Sequence, residues 1–269
     1  MIQHFFKIIV ISTVVFTLSC NKQEQYGFDE NDTIRGIWGQ TILYNEYGLP
    51  LQNNEGIIVT AHCIDTLGTD NSGNAIVLDT ILSTTTDSKG MWQYNNAPGG
   101  LYYIEFWKEG FCKNSVYNYK YDTLRADTLD MLYLSQKPQA SIIFDSVSVR
   151  SSILYLSRTV SFTSSNTNNY MLSTWYFFDT TAQVSSTKHM YAYMSGAAIG
   201  KGGIQQSFTT KKPLDKLYEN GFKEGTKIYV TCAVDNAKYV QYYDASGTIM
   251  FPNISQLSAV KTFIMPKEN

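Results

Sequence analysis

The chain has 269 residues, with 23 acidic and 21 basic side chains and a formal net charge of −2 at pH 7. A nucleic-acid-binding protein needs clustered Lys and Arg to displace counterions from phosphates. This sequence has no such block, so nucleic acid is excluded as the expected partner. The length suits two domains of short strands better than one.

The N-terminal residues 1–19 are predicted to be an export signal. The apolar run Ile8–Leu18 has eleven residues, whereas a membrane-spanning helix needs ~20. It ends in Leu18-Ser19-Cys20, which resembles the lipobox of bacterial lipoproteins. The resemblance implies that residues 1–19 are removed and that Cys20 is acylated, which anchors the mature chain to a membrane. An ordinary signal peptide with a chance Cys is the alternative.

After a polar tether at residues 20–32, the stretch Thr86–Phe111 predicts a β-hairpin with an aromatic inner face. Apolar and polar residues alternate along it with the period of two that a half-buried strand shows. The residues interpreted as core are Trp92, Tyr94, Tyr102, Ile104 and Phe106. The opposite face of the second strand carries Tyr103, Glu105 and Trp107, and for Tyr103 and Trp107 both a scaffold role and a ligand site stay open.

This stretch reads T-D-x-x-G-x-W-x-Y and then G-x-Y-x-I-x-F-x-K-E-G-F. The pattern resembles the carboxypeptidase regulatory-like, or transthyretin-like, β-sandwich. The resemblance covers residues 33–135 and implies that the inner aromatic side chains are core. The sequence departs from the family in a longer insertion at Ile64–Leu82.

The segment Ser135–Pro138 is predicted to be a short junction between two domains. Beyond it, alternating strands recur, and Ile228–Asn236 resembles the strand before the last in Ig and fibronectin type III domains. The resemblance covers residues 138–266. It implies a second β-sandwich in which the Tyr229 hydroxyl bonds back to the preceding corner.

The predicted fold class is therefore all-β, with two tandem β-sandwich domains behind a cleaved lipoprotein signal peptide. The combination resembles Bacteroidetes envelope lipoproteins, which often accompany outer-membrane glycan-uptake systems. The resemblance implies a lipid-anchored outer-membrane protein, in a leaflet that stays open, with glycan or transporter components as partners. We expect a non-catalytic binding accessory in glycan or nutrient capture. The alternatives are a structural or adhesive surface subunit and, third, an unrecognised enzyme.

Catalytic and metal-binding patterns are missing from the sequence. Beyond residue 19 the chain has only two His, His62 and His189, one in each predicted domain, and it has no GxSxG or HExxH motif. Both His residues are interpreted as ordinary surface or core side chains. No catalytic residue, metal or cofactor is expected.

Three cysteines remain after Cys20, an odd number without a CxxC pair. Cys63 and Cys112 could form a disulfide in an oxidising envelope. However, Cys63 shares a strand face with apolar residues, whereas Cys112 is expected to face outward. Buried or free thiols are therefore favoured for Cys63, Cys112 and Cys232.

Tyr is abundant, with 20 residues. Tyr117, Tyr119 and Tyr121 alternate with polar residues and are expected to be exposed, and Tyr239, Tyr242 and Tyr243 cluster near a turn. Exposed Tyr side chains suit sugar stacking or protein contacts, although Tyr also suits ordinary half-buried strand positions.

Eight of the 14 Asp residues precede Ser or Thr, although Ser and Thr make up about a fifth of the chain. Seven of the eight sites resemble the O-glycosylation acceptor of Bacteroidetes exported proteins: Thr33, Thr66, Thr80, Thr123, Thr128, Ser146 and Thr180. The alternative is that Asp marks a turn and the hydroxyl residue opens the next strand. One site can serve both as a glycosylation acceptor and as a turn.

Lipidation at Cys20 is testable by labelling with radioactive fatty acid. Label should enter the wild-type chain and the control variant Cys112→Ala, which keeps the lipobox. Cys20→Ala should take up none, because the acylated sulfur is absent. Label persisting in Cys20→Ala, or absent from every chain, would contradict the prediction.

Overall fold

The computed structural model describes residues 36–63, 66–69, 75–77, 80–123 and 126–267. The fold is all-β, with 55% of residues in strands and 2% in helix, which confirms the predicted fold class. Within that part of the chain, no helix is long and apolar enough to span a membrane. The predicted signal peptide, Cys20 and the tether lie outside the described residues.

The first half of the chain forms two sheets that face each other and a small hairpin. Its strands are β1 (Gly36–Tyr44), β2 (Ile58–Cys63), β3 (Thr66–Thr69), β4 (Ala75–Val77), β5 (Thr80–Thr85), β6 (Met91–Asn95), β7 (Gly100–Trp107), β8 (Asn114–Tyr121), β9 (Asp127–Thr128) and β10 (Leu132–Ser135). One sheet has the order β10-β1-β6, with β9 also pairing with β1, and the other has the order β5-β2-β7-β8. Strands β3 and β4 pair with each other.

The inner aromatic residues form the core between these sheets, as the alternation predicts. Trp92 is 3% exposed, and its ring meets Tyr94 and Phe106 edge-on at centroid distances of 5.6 and 5.5 Å. Gly39 lies beneath the indole, where a Cβ would stand only 2.8 Å from a ring carbon. The strand β1 can therefore approach the Trp92 ring only because Gly39 has no side chain.

The expectation that Tyr117, Tyr119 and Tyr121 are all exposed is wrong. The β7–β8 register shifts between Tyr102 and Ile104, and Asn118 adopts a positive φ of 57°. Such an irregularity changes which face the following residues occupy. Tyr119 therefore packs against the core and Tyr121 is buried.

The second half forms a second sandwich. Its elements are β11 (Ala140–Arg150), β12 (Ile153–Phe162), β13 (Tyr170–Asp179), β14 (Tyr191–Gly200), β15 (Gln205–Pro213), α1 (Asp215–Glu219), β16 (Lys227–Asn236), β17 (Tyr242–Tyr243), β18 (Ile249–Met250) and β19 (Lys261–Ile264). One sheet has the order β11-β12-β15 and the other has the order β14-β13-β16-β19. Residues such as Leu156, Phe178 and Val230 fill the core between them.

The sheet that contains β13 is also covered on its outer side. Trp175 and Phe177 point away from the main core and pack with Val184 and Phe251 from the loops that follow β13 and β18. Strands β13 and β16 are therefore buried on both faces over most of their length.

The loop that leads into β19 extends the edge of this sheet with serine side chains. The Val234 N–H donates to Ser255 Oγ at 3.1 Å, and the Cys232 N–H donates to Ser258 Oγ at 3.0 Å. Because these backbone donors are buried, the two hydroxyl acceptors replace the ladder bonds that a regular strand would supply.

Tyr229 does not take the role that the Ig-like resemblance implies. Its ring packs against the outer cluster around Trp175, with Lys227 Nζ 5.3 Å from the ring centroid. Among the described residues, its hydroxyl makes no hydrogen bond to a corner. A long-range bond from a Tyr hydroxyl to backbone is made instead by Tyr218, which donates to the Pro266 carbonyl at 2.8 Å.

Four fully buried polar side chains, Ser135, Asp235, Asn236 and Asn253, form a junction cluster between the sandwiches. Asn253 Nδ2 donates to Ser135 Oγ and to Asp235 Oδ1, at 3.0 Å in each case. Asn236 Nδ2 donates across to the Gln136 carbonyl at 3.0 Å. Ser135 belongs to β10 and Asp235 to β16, so these bonds tie the first sandwich to the second.

The domain boundary near residues 136–139 stays a prediction. Ile34–Asn269 forms one compact unit. The described strands before Gln136 and those from Ala140 onward nevertheless belong to different sheets. We propose that each half has its own core and that the junction cluster joins them.

All three cysteines of this part of the chain are free and buried, as expected for unpaired thiols. The expectation that Cys112 faces outward is wrong. It packs at the junction cluster, where the Ser135 N–H donates to its sulfur at 3.3 Å. Burial raises the pKa of Cys112 to about 11 and that of Cys232 to about 12, so both thiols stay protonated at neutral pH.

Burial also raises the pKa of Asp235 to about 7. Hydrogen bonds from the Asn236 N–H and from Asn253 oppose the rise. The indole N–H of Trp175 also lowers this pKa, although no hydrogen bond of standard geometry joins it to the carboxylate among the described residues. Asp235 therefore titrates near neutral pH inside the junction.

Replacing Asp235 by Asn should remove a pH dependence of stability. The carboxyl titrates at ~3.9 in an unfolded chain and at about 7 when folded. Between these values the folded state holds a proton that the unfolded state releases, so the stabilisation falls as pH rises through this window. Asp235→Asn keeps the acceptor oxygen and cannot ionise. Its melting temperature should exceed that of the wild type by more at about pH 8 than at about pH 4.

The matched control is Asp244→Asn. Asp244 is half-buried, and hydrogen bonds from Ser246 and Thr248 lower the pKa of its carboxyl. Its replacement should therefore bring no gain in melting temperature at the higher pH. Equal melting differences for Asp235→Asn at both pH values would contradict the predicted titration.

Candidate functional site

The sheet β5-β2-β7-β8 exposes a mixed aromatic and polar surface, which we call the outer face. Because side chains alternate along a strand, the residues between the core positions point to this side. The outer face consists of Ile58, Thr60, His62, Ile81, Ser83, Thr85, Tyr103, Glu105, Trp107 and Ser115. The strand register places them in rows, with Trp107 opposite Ile58 and Glu105 opposite Thr60.

Trp107 is the exposed aromatic side chain of the outer face. It is 42% exposed, and beside it Ile58 and, at the far corner, Ile81 are exposed as well. Lys108, next to Trp107, folds back and its ammonium donates to the Glu55 carbonyl. The indole therefore presents a flat apolar surface to solvent.

Glu105 lies at the polar centre of the outer face. His62 Nε2 and Lys113 Nζ each lie 3.6 Å from one of its carboxylate oxygens, and the Tyr103 hydroxyl donates to it at 3.4 Å. The Glu105 side chain is about one-third exposed. It can therefore accept hydrogen bonds from a ligand while the neighbouring imidazole and ammonium donate.

One end of the outer face is covered by the second half of the chain. Ser115 Oγ donates to the Tyr243 carbonyl at 2.5 Å, and Tyr103 is buried beneath this segment. Burial raises the pKa of Tyr103, and it raises the pKa of Tyr242 to about 12. Of the two side chains whose role was open, Tyr103 is thus largely part of the scaffold and Trp107 is free to contact a ligand.

The two histidines differ in surroundings. His62 stands on the outer face, whereas His189 packs between Phe177 and Phe251, and its burial lowers the pKa of the imidazole. In the part of the chain that the structure covers, no group of three or more His, Cys, Asp or Glu residues could hold a metal ion. The arrangement on the outer face suits binding by stacking and hydrogen bonds.

The predicted O-glycosylation acceptors differ in exposure. Four have exposed hydroxyl side chains: Thr123, Thr128, Ser146 and Thr180. Thr80 is half-buried at the start of β5, Thr66 lies in β3, and Thr33 lies outside the described residues. Modification at any of them stays a prediction.

Two of the preceding carboxylates also make local hydrogen bonds. Asp127 Oδ1 accepts the Thr128 N–H at 2.9 Å, and Asp179 Oδ1 accepts the Thr181 N–H at 2.8 Å. These contacts are the turn chemistry of the alternative interpretation.

Sequence reasoning missed the junction cluster and two inward-facing cations, Arg158 and Lys212. The alternation along β12 predicts a core position for Arg158, so the sequence does contain a signal that a cation is buried there. No comparable signal marks the junction cluster, because these hydrogen bonds join residues a hundred or more positions apart.

No family model matches the chain, and no curated protein matches it. Among solved structures, the chain is similar to a candidate carbohydrate-binding protein from Bacteroides uniformis, with 12% identity and a TM-score of 0.33, over 86% of this chain and 98% of that one. It is also similar to two DUF3823 family proteins. For the one from Bacteroides uniformis the identity is 14% and the TM-score 0.30, over 87% and 100% of the two chains. For the one from Parabacteroides merdae the identity is 10% and the TM-score 0.31, over 85% of this chain and 97% of that one. Likeness at this level says nothing about function.

O-glycosylation is testable on protein from the native envelope. Peptides that contain Thr123 or Thr128 should carry one common glycan by mass spectrometry, and the same peptides from a host without the pathway should be bare. Asp122→Ala should abolish modification at Thr123, since the acceptor pattern needs Asp, while the exposed change leaves the fold intact. The control Asp130→Ala, at an Asp that Met follows, should leave Thr123 modified. Bare native peptides at all four exposed sites would refute the acceptor interpretation.

Proposed function

We propose that the protein is a non-catalytic accessory of the outer membrane that captures glycan on the outer face of its first sandwich. The observation that carries the proposal is the exposed Trp107 indole beside the polar group of Glu105, His62 and Lys113. A sugar ring has an apolar face and a rim of hydroxyl groups. It needs a flat aromatic surface together with charged donors and acceptors.

The spacing within β7 fits this chemistry. Trp107 and Glu105 are two residues apart on one strand, which places them ~7 Å apart along the same face. A ring stacked on the indole could therefore reach the carboxylate with its hydroxyl groups. The covered end at Tyr103 leaves the Trp107 end as the side from which a chain of sugars would approach.

The proposed location rests on Cys20. An acylated Cys20 and the tether at residues 20–32 would hold the sandwiches beside the membrane, where glycan or transporter components are the expected partners. This part of the proposal comes from the sequence resemblance and depends on the labelling result for Cys20.

The second candidate function is that of a structural or adhesive surface subunit. The exposed apolar side chains of Ile58, Ile81 and Trp107 share one face, and such a patch also suits a protein partner. An enzyme of unrecognised type is the third candidate, and turnover of glycan or peptide by the purified chain would reveal it.

The glycan proposal is testable with an array and a Trp107→Ala variant. Wild type should bind one group of glycans, and Trp107→Ala should bind them about tenfold more weakly, since the buried part of an indole contributes about 1–2 kcal/mol. Ile199→Ala removes another exposed apolar side chain, from the second sandwich, and should bind like wild type. Both variants should melt near the wild-type temperature because the positions are exposed.

Two outcomes would count against glycan capture. Wild type that binds no glycan on the array, but loses a protein partner when Trp107 is replaced, would favour the surface subunit. Equal glycan affinity of wild type and Trp107→Ala would remove the outer face as the site.

A further inference from the structure

Two cationic side chains point into the second sandwich. Along β12 the inward positions are Leu154, Leu156, Arg158, Val160 and Phe162. On the neighbouring strand β15, Lys212 also points inward. Arg158 is 2% exposed and Lys212 is 6% exposed, whereas Lys and Arg are almost never fully buried unless they are paired.

Arg158 is held by neutral groups. Its Nη1 donates to the Tyr176 hydroxyl at 3.0 Å and to Thr210 Oγ1 at 2.8 Å, and its Nη2 lies 3.5 Å from the Gly196 carbonyl. The guanidinium carbon also lies 5.4 Å from the centroid of the Phe208 ring. Its Nε is buried and makes no hydrogen bond among the described residues.

Lys212 is held mainly by aromatic rings. Its Nζ lies 3.6 Å from the centroid of the Tyr193 ring and 5.2 Å from that of Tyr191. The Tyr193 ring in turn stacks on Tyr176, with centroids 6.4 Å apart and an angle of 20° between the planes. Arg158 therefore contacts one ring of a stacked pair, Tyr176, and Lys212 contacts the other, Tyr193.

Among the residues that the structure describes, neither cation has a carboxylate partner. Within the described ranges, the ion pairs join His62 and Lys113 to Glu105, and Lys216 to Glu219. A desolvated cation is stabilised by an aromatic ring, but the effective penalty for burying an ion is larger than that gain. The rings therefore offset only part of the cost of two buried positive charges.

The cations lie near the open edge of the sandwich, between edge strands β14 and β15. Tyr191, Tyr193 and Thr210 are half-buried there and so remain in contact with solvent. A Cβ built on Gly196 would meet nothing within 4 Å. Gly196 is itself exposed, so the backbone that Arg158 contacts reaches the surface at this edge.

We propose that this edge binds an anionic group, a carboxylate or a sulfate of the kind that acidic sugars carry. Arg158 and Lys212 supply two positive charges, and the half-buried tyrosine rings supply apolar surface for the carrier of the anion. Within the described part of the chain, the guanidinium has an unused N–H and the ammonium makes no hydrogen bond. An oxyanion accepts hydrogen bonds from such charged donors. The site is separate from the outer face, and neither depends on the other.

The test uses the full chain and three probes: sodium glucuronate for the carboxylate, sodium sulfate for the sulfate, and glucose as the neutral sugar. Calorimetric titration at low ionic strength should show binding of at least one anion and none of glucose. Lys212→Met should weaken anion binding about tenfold or more, as expected for loss of a charged hydrogen-bond donor. The relative affinities of glucuronate and sulfate identify the group that the site prefers.

Lys211→Met is the matched control. Lys211 is the next residue of the same strand and carries the same charge, but it points outward over Tyr155, with Nζ 5.6 Å from the ring centroid. Its loss removes the same net charge without touching the edge site. Anion affinity should therefore stay within about twofold of wild type, apart from general screening.

Thermal unfolding separates a binding role from a structural one. Without anion, Lys212→Met should melt at or above the wild-type temperature, because an unpaired buried charge is replaced by an apolar chain. The preferred anion should raise the melting temperature of wild type and of Lys211→Met, and leave that of Lys212→Met unchanged. Arg158→Gln provides the same comparison if Lys212→Met does not fold.

The proposal is overturned if neither anion binds wild type more tightly than it binds Lys212→Met. It is also overturned if the Lys211 and Lys212 variants respond alike. Either result would mean that the aromatic rings and the neutral hydrogen-bond partners accommodate the two cations without a ligand.

Discussion

The junction cluster determines which surfaces of this protein remain free. Ser135, Asp235 and Asn253 come from separate segments and have no contact with solvent. A buried polar group costs about 1–3 kcal/mol when it lacks a partner, so each of these side chains holds the others in place. The cluster thereby fixes the segment after β16, whose residues Tyr242 and Tyr243 lie over one end of the outer face. Tyr103 is covered as a result, and Trp107 is not.

Local alternation accounts for what could be predicted from the sequence. Trp92, Tyr102 and Phe106 fall on the core side and Trp107 on the other because a strand has a period of two regardless of its neighbours. The same alternation wrongly predicts that Tyr121 is exposed. An irregularity near Asn118 changes which face of β8 the following residues occupy. Local reasoning could not predict the burial of Cys112 and Asp235, since the junction around them is joined by bonds between distant parts of the chain.

Arg158 presents a different kind of conflict. Its place in the alternation of β12 predicts a core position, while its charge predicts a surface position, and the structure follows the alternation. Lys212 on the adjacent strand repeats the conflict. Natural sequences are mostly consistent between local pattern and burial, and the exceptions concentrate at functional sites. The disagreement between charge and position is therefore itself a reason to look for a ligand at this edge.

The proposed binding residues contrast energetically with the core residues around them. Trp92 stabilises the first sandwich through its ring contacts with Tyr94 and Phe106, whereas Trp107 is 42% exposed and contributes less to folding. Lys212 even destabilises the fold, because the burial of its charge without an anion opposes folding. Substitution of such side chains leaves the sandwich folded, because the fold does not depend on them. The two proposed sites can therefore differ in ligand preference while the aromatic cores keep the same architecture.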